Sequence, residues 1–415
     1  MMLPNLAPAR NRRGAALPVA LMGLVAVSLL VTAALFTSST EFAISAAHRT
    51  GATSLFDADA ALEQYVADRL GAGLGMAPTA AGGVQGPGGA AYTVQVDRMS
   101  DSTDRSGDPM TRTEIFSLLV QPANGRGRGV GAFIAAKRSV KPLRTNINSG
   151  ATSGGAINIS GSSVISNGSD QSNYCGAADN EADFAVQVTS DACADGTASC
   201  IDAGEKNLDG AKGVTGFTKA QLAERLLGPG VTLRSLAENA GIKFGAMWDS
   251  ANYSHNTRAN SSSSTPRKYN WGCPLTLGVA CPSTAAADLH TVVAIDASGL
   301  LDRTVVINGD YGQGIIIILN GNLRIQGNFV FKGILLVEGD MDIKGGSGGE
   351  DAKIEGSVVA FGANSAVADN VSGNATIRYN TCGIKDAEKA MNDAALNNAP
   401  QARSGGTFSW YELIR

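Results

Sequence analysis

Val305-Val306-Ile307-Asn308-Gly309-Asp310 is echoed by Ile317-Ile318-Leu319-Asn320-Gly321-Asn322 and by Leu335-Leu336-Val337-Glu338-Gly339-Asp340. A weaker echo is Val358-Val359-Ala360-Phe361-Gly362-Ala363. Each unit is three apolar residues, one variable residue, a glycine and usually Asp or Asn. Second short strands intervene at Leu323-Arg324-Ile325, Met341-Asp342-Ile343 and Ala375-Thr376-Ile377. Short apolar units recurring at irregular intervals of about 12–23 residues predict stacked turns of a parallel β-solenoid, each turn burying its apolar face on the next. A β-sandwich is the alternative. Ala156-Ile157-Asn158-Ile159-Ser160-Gly161-Ser162-Ser163-Val164 has the same texture and reads as the first turn.

Working outward, residues 170–290 read as a polar insertion holding five of the six cysteines. Two short helices are expected in it, from Lys219 to Leu227, stopped by Gly228-Pro229-Gly230, and from Leu233 to Asn239, stopped by Gly241. Cys193 with Cys200, and Cys273 with Cys281, are close enough to close small loops. Cys175 and Cys382 each follow a solenoid segment and are candidates to join the first turn to the last. Six cysteines allow 15 pairings, so other connectivities stay open; a zinc site is a rival use. Asp386 to Asn397 reads as a helix, and Ser409 to Ile414 as a closing strand or docked tail.

Towards the N-terminus, Tyr92 to Val96, Ile115 to Val120 and Val130 to Ala136 read as an antiparallel meander. Gly71 to Ala90 reads as a Gly/Ala/Pro linker. Before it, Leu55, Phe56, Asp59, Leu62, Tyr65, Val66 and Leu70 recur at helical spacing. This amphipathic half continues an apolar one. From Gly14 to Thr40 there is no charge; Arg10, Arg12 and Arg13 precede the run and Glu41 is the first charge after it. Ala15 to Phe36 makes a helix of roughly 33 Å, enough to cross a bilayer. Leu17, Pro18, Val19, Leu21, Leu24, Leu29, Leu30, Leu35 and Phe36 form this anchor, with Pro18 in the first turn, where its missing N–H costs little. The arginines predict a cytoplasmic N-terminus and a head outside the inner membrane. A plain anchor, or a signal cleaved near Thr32-Ala33-Ala34, are the alternatives.

Basic residues, Gly14, then an unbroken apolar helix resemble a type IV prepilin N-terminus. Arg13-Gly14-Ala15-Ala16-Leu17-Pro18-Val19-Ala20-Leu21 resembles PilX-type pilus assembly proteins, and Asp57-Ala58-Asp59-Ala60-Ala61-Leu62-Glu63 is similar to a later segment of that family. The resemblance covers about residues 10–70. It implies cleavage between Gly14 and Ala15, and a long helix carrying a pilin-like sheet. The implied partners are other pilin-like subunits and the assembly machinery. Major pilins carry glutamate as the fifth mature residue; Val19 stands there here.

The expected fold class is therefore α+β, mostly β: a long membrane and stalk helix with a pilin-like antiparallel sheet, then a solenoid-like or sandwich head. The expected parts are a leader (1–14), the helix (15–70), the meander (71–145), the head (146–169 and 291–382), the Cys-containing insertion (170–290) and a C-terminal helix and tail (383–415). Charged residues are only 17% and the net charge is -4, with no basic surplus for nucleic acid. His48, His255 and His290 stand in no metal-ligand spacing, and no phosphate loop or nucleophile elbow occurs. No catalytic residue, metal or cofactor is expected. Gly345 to Asp351 resembles one imperfect calcium-binding repeat, and Asp310 and Asp340 are the carboxylates a solenoid hydrolase would have to converge; a hairpin tip and turn chemistry explain them as well. The expected role is a minor pilin-like subunit at a filament tip or initiating complex. A displayed adhesin for a surface or glycan ligand, or an anchored polysaccharide-active enzyme, are the alternatives.

Overall fold

The computed structural model describes residues 16–71, 75–125, 128–168, 182–193, 197–253, 271–281, 287–346, 351–362, 368–404 and 409–413. Two compact units result. The first takes residues 1–102, 112–137 and 400–415; the second takes 103–111 and 138–399.

The first unit is a helix on an antiparallel sheet. Helix α1, Ala16–Gly71, has 56 residues. Its C-terminal part buries Ala58, Ala61, Leu62, Tyr65 and Val66, the i, i+3, i+4, i+7 stripe of a helix packed on one side. Against it lie alternate residues of three strands: Tyr92, Val94 and Val96; Phe116, Leu118 and Val120; Val130, Ala132, Ile134 and Ala136. The strand order is Thr79–Gln85, Ala91–Asp104, Met110–Pro122, Gly129–Val140, with Ala402–Arg403 and Ser409–Leu413 both pairing the last. Gln401 stitches this return of the chain: its Oε1 accepts from the Met76 N–H (2.5 Å) and its Nε2 donates to buried Glu114 (2.6 Å). The segment read as a linker, Gly71 to Ala90, in fact supplies the edge strand Thr79–Gln85. Backbone pairing needs no side chain to bury, so composition gave no hint of it.

The second unit is a 15-stranded sheet in which every pairing among the described residues is parallel. It winds round an apolar interior and comes close to closing on itself. This is the winding of stacked coils, not the antiparallel pairing of a sandwich. One coil is the strand Thr304–Leu319, bent at Gly309-Asp310 and again at Gly314. The next is Asn322–Val337, paired with it along almost its whole length. Met341–Lys344 with Lys353–Ala360 forms the third, and Asp369–Ser372 with Thr376–Tyr379 the fourth.

Two details of the repeat differ from its sequence reading. Val305 to Ile307 pairs with Leu323 to Ile325, not with Ile317 to Leu319, which lies on another side of the same coil. Ile316, not Ile317, pairs with Leu335, because Asn320 adds one residue at the corner in a left-handed conformation (φ 57°). The expected first turn is also displaced. Ser149–Ser153, Ile157–Ile159 and Val164–Ser166 pair with Lys353–Ala360, Asp369–Ser372 and Thr376–Tyr379. The earliest coil in sequence therefore stacks on the last. Part of the expected insertion extends the sheet beyond it, through Phe184–Val188, Ile201–Ala203, Leu208–Asp209 and Lys212–Val214, and Ile242–Phe244 adds to the opposite end through Thr291–Asp296.

One side of the coil is apolar at nearly every position because both of its faces are buried, and a hydroxyl there, that of Ser357, donates to the Ser149 carbonyl oxygen (2.8 Å). Ile316, Ile318, Leu335, Val337 and Val358 point into the interior with Phe329, Phe331 and Val305. Ile315, Ile317, Leu319, Ile334, Leu336 and Val359 point outward into a second core. Helices α2 (Leu222–Leu227), α3 (Leu233–Glu238) and α4 (Thr381–Asn398) cover that core with Leu222, Leu226, Leu236, Ile384, Ala387 and Met391. A capping box from Thr218 and Gln221 opens the turn before α2, and Gly228 (φ 99°) closes it. Helix α4 begins before Asp386, where Asn380 caps it by accepting from the Gly383 N–H (2.9 Å).

The corner leading into this side is built from Gly314, Gly333 and Gly356, with φ of 118°, 138° and 139°. A Cβ on Gly333 would lie 2.0 Å from the Gly314 carbonyl oxygen, and one on Gly356 1.8 Å from that of Gly333. Gly333→Ala is therefore expected to destabilise by about 2–5 kcal/mol, combining left-handed strain with overpacking. Gly216→Ala, with nothing within 4 Å of its Cβ, is expected to cost less than about 1 kcal/mol. Thermal or denaturant unfolding of the two variants checks this, and equal stability would contradict it.

Candidate functional site

The anchor residues lie on α1. Leu17, Val19, Leu21, Leu24, Leu29, Leu30, Leu35 and Phe36 are all exposed, each by 64% or more. Pro18 sits in the first turn. The helix is long and apolar enough to cross a membrane, with a mean hydropathy of 2.5 over its most apolar window. Its hydroxyls bond back to the preceding turn: Ser28 to Val25 O, Thr32 to Ser28 O, Thr37 to Ala33 O. They therefore leave no unsatisfied donor in an apolar medium. Gly14 and Ala15 lie outside the described residues.

Cys193–Cys200 and Cys273–Cys281 are disulfides, with Cα separations of 5.3 and 5.7 Å. Cys382 is also disulfide-bonded, and Cys175 lies outside the described residues. Asp310 and Asp340 are not brought together. Asp310 accepts from the next backbone N–H, of Tyr311 (2.8 Å), at one corner of the coil; Asp340 stands at another, its N–H donating to Asn322 (2.9 Å). Asp342 pairs with Arg324 (3.1 Å) and Lys344 (3.2 Å). Gly345 packs against the Asn374 backbone, where a Cβ would meet carbon at 2.3 Å, while residues 347–350 of the calcium-like stretch lie outside the described residues. No group of three or more His, Cys, Asp or Glu with metal-holding geometry occurs among the described residues.

The second unit also holds a cleft of about 860 Å³, within the size range of small-molecule sites. Helix α4 forms one wall with Asp386, Lys389, Ala390, Asp393, Ala394 and Asn397. The loop closed by Cys273–Cys281 forms a lip through Leu275 and Thr276. The floor is Thr291, Val292, Gln313 and Lys332. Lys332 is only 9% exposed and donates to Asp386 Oδ2 (3.0 Å). His290 Nε2 lies 3.5 Å from the same oxygen. Its Nδ1 is 3.2 Å from the Asp288 carbonyl oxygen, which only accepts, so Nδ1 carries hydrogen. Asp386 is held down to about 2, first by His290 and then, against the opposing effect of burial, by Lys332. A carboxylate so firmly ionised is a poor proton carrier near neutral pH; the arrangement suits binding.

Sequence reasoning named His290 only as a histidine outside any metal-ligand spacing and did not single out Lys332 or Asp386. One signal was visible: Lys332 is a lone charge inside Phe329-Val330-Phe331-Lys332-Gly333-Ile334-Leu335, where a buried lysine demands a partner.

A buried carboxylate, Asp369, joins three coils. It accepts from the Met341 N–H (2.7 Å) and from Ser153 Oγ. Burial pushes it up to about 7, the Asp340 charge adding to this, while the two hydrogen bonds and Lys219 oppose it. The folded pKa lies above the unfolded one, so this group's contribution to stability is fully present below about pH 4. It declines as pH rises and is lost above about 7. Asp369→Asn keeps a donor and an acceptor and removes the charge. It is expected to flatten the fall in melting temperature between about pH 4 and 7; an unchanged slope would contradict the assignment.

Comparison with family models, curated proteins and solved structures finds no match to this chain.

Proposed function

We propose that this chain is a single-pass, membrane-anchored minor subunit of a type IV pilus or related secretion system, of the PilX type, and that its role is assembly and not catalysis. The observation that carries the reading is the division of α1. Its first half is exposed and apolar from Leu17 to Phe36, and its last turns, Ala58 to Val66, are packed on an antiparallel sheet. A helix built this way has one half for a bilayer or a helix bundle and one half as the spine of a head. The resemblance of Arg13 to Leu21 to PilX-type N-termini supports the same reading, and the disulfides suit an exported head.

Placement at a tip or in an initiating complex follows from Val19. A subunit that repeats along a shaft must offer a carboxylate to a neighbour's buried amine, and valine offers none. The large second unit also suits a position without a neighbour above it. The cytoplasmic side takes the arginines before Gly14, and the head lies beyond the inner membrane.

Two outcomes are expected. N-terminal sequencing of the membrane-extracted protein gives Ala15, and Gly14→Val retains the full-length chain; an intact Met1, or Leu35, would overturn processing after Gly14. Immunogold labelling marks filament ends or bases, and deletion lowers pilus number without changing shaft structure. Labelling spread evenly along every filament would refute the minor-subunit placement.

A further inference from the structure

The cleft beside α4 has an ionic floor and apolar sides, and its hydrogen-bonding capacity is not used up by the protein. Lys332 is nine-tenths buried, yet its ammonium meets a single acceptor among the described residues, Asp386. Two N–H donors remain. His290 Nε2 is buried and has no hydrogen-bond partner within bonding distance among the described residues; it lies 3.5 Å from Asp386 Oδ2. Lys389 adds an ammonium at the rim, while the acid one turn further along α4, Asp393, is taken by Arg105 at 2.9 Å. A buried ammonium with donors to spare calls for a further acceptor. The sides are Ile242, Leu275, Leu289, Ala390 and Ala394; Leu275 and Leu289 are 56% and 39% exposed at the mouth.

We propose that this cleft binds a carboxylate carried on an apolar body. The carboxylate meets the Lys332 ammonium beside the His290 ring, and the apolar group lies between the two alanines of α4 and the leucines of the lip. A doubly charged phosphate is disfavoured because Asp386 shares the floor. A sugar would find no aromatic ring among the lining residues to stack on. The chemistry is shared by a small organic acid and by the C-terminus of a peptide ending in an apolar residue. The inference stands apart from the pilus reading, since it rests on the second unit alone.

The test is calorimetry or NMR on the full chain in detergent, with N-acetyl-leucine, its amide, and inorganic phosphate as probes. The acid is expected to bind and to perturb the His290 ring signals, and the amide and phosphate to bind at least about tenfold more weakly, as loss of a charged hydrogen bond implies. Lys332→Met should weaken the acid by a similar factor. Because that change also strands Asp386, Leu275→Glu is the second variant. It sits on an exposed lip, keeps the fold, and should weaken the acid by placing a negative charge at the mouth. Acetyl-Ala-Ala-Leu binding more tightly than isovalerate would identify a peptide terminus as the source, and the reverse a free acid. Equal binding of acid and amide, binding unaffected by Leu275→Glu, or no binding of the acid would overturn the proposal.

Discussion

The second unit depends on how closely its backbone approaches itself at one corner. Gly314, Gly333 and Gly356 stack there with no room for a Cβ, so successive coils settle at the spacing of paired strands, about 4.8 Å. That contact fixes the register of everything after it. Ile315, Ile334 and the residues following them fall into columns, one set facing in and the next facing out. A sheet apolar on both faces cannot stay uncovered, and α2, α3 and α4 are what covers it. The helices follow from the corner and not the reverse.

The same corner positions the cleft. Lys332 immediately precedes Gly333, and α4 begins so near it that a Cβ on Gly383 would lie 3.0 Å from the Glu355 carbonyl oxygen and 3.4 Å from Lys332 Cγ. Asp386, one turn into α4, is thereby set over the lysine. Folding buries a cation that a strand in water would leave solvated, and the helix covering the coil supplies the counter-charge. Removing Asp386 would be costly, since the lysine would stay buried without its counter-charge.

Much of this was legible from residue order. The 3.6-residue stripe of Leu62, Tyr65 and Val66 showed which side of α1 packs, and alternation in Tyr92, Val94 and Val96 showed which side of the sheet meets it. The triplets ending in glycine showed coils. Registration was less legible. One added residue at Asn320 shifts the echo by a position, and nothing local distinguishes a corner residue in left-handed geometry from a strand residue. Non-sequential stacking was invisible, because Ala151 and Val358 meet through the fold alone. The cleft was missed for a similar reason: His290, Lys332 and Asp386 come from three separate stretches, and each has a bland local explanation.

The placement of the earliest coil has a consequence for how the chain reaches its structure. Residues 149–166 form their partnerships with residues 353–379, which a ribosome makes some two hundred residues later. Their other edge pairs with strands between residues 184 and 209, made soon after them, so one edge of the first coil is covered early and the other only when the last coil arrives. Contacts of such long range make for slow assembly and leave strand edges open in the interval.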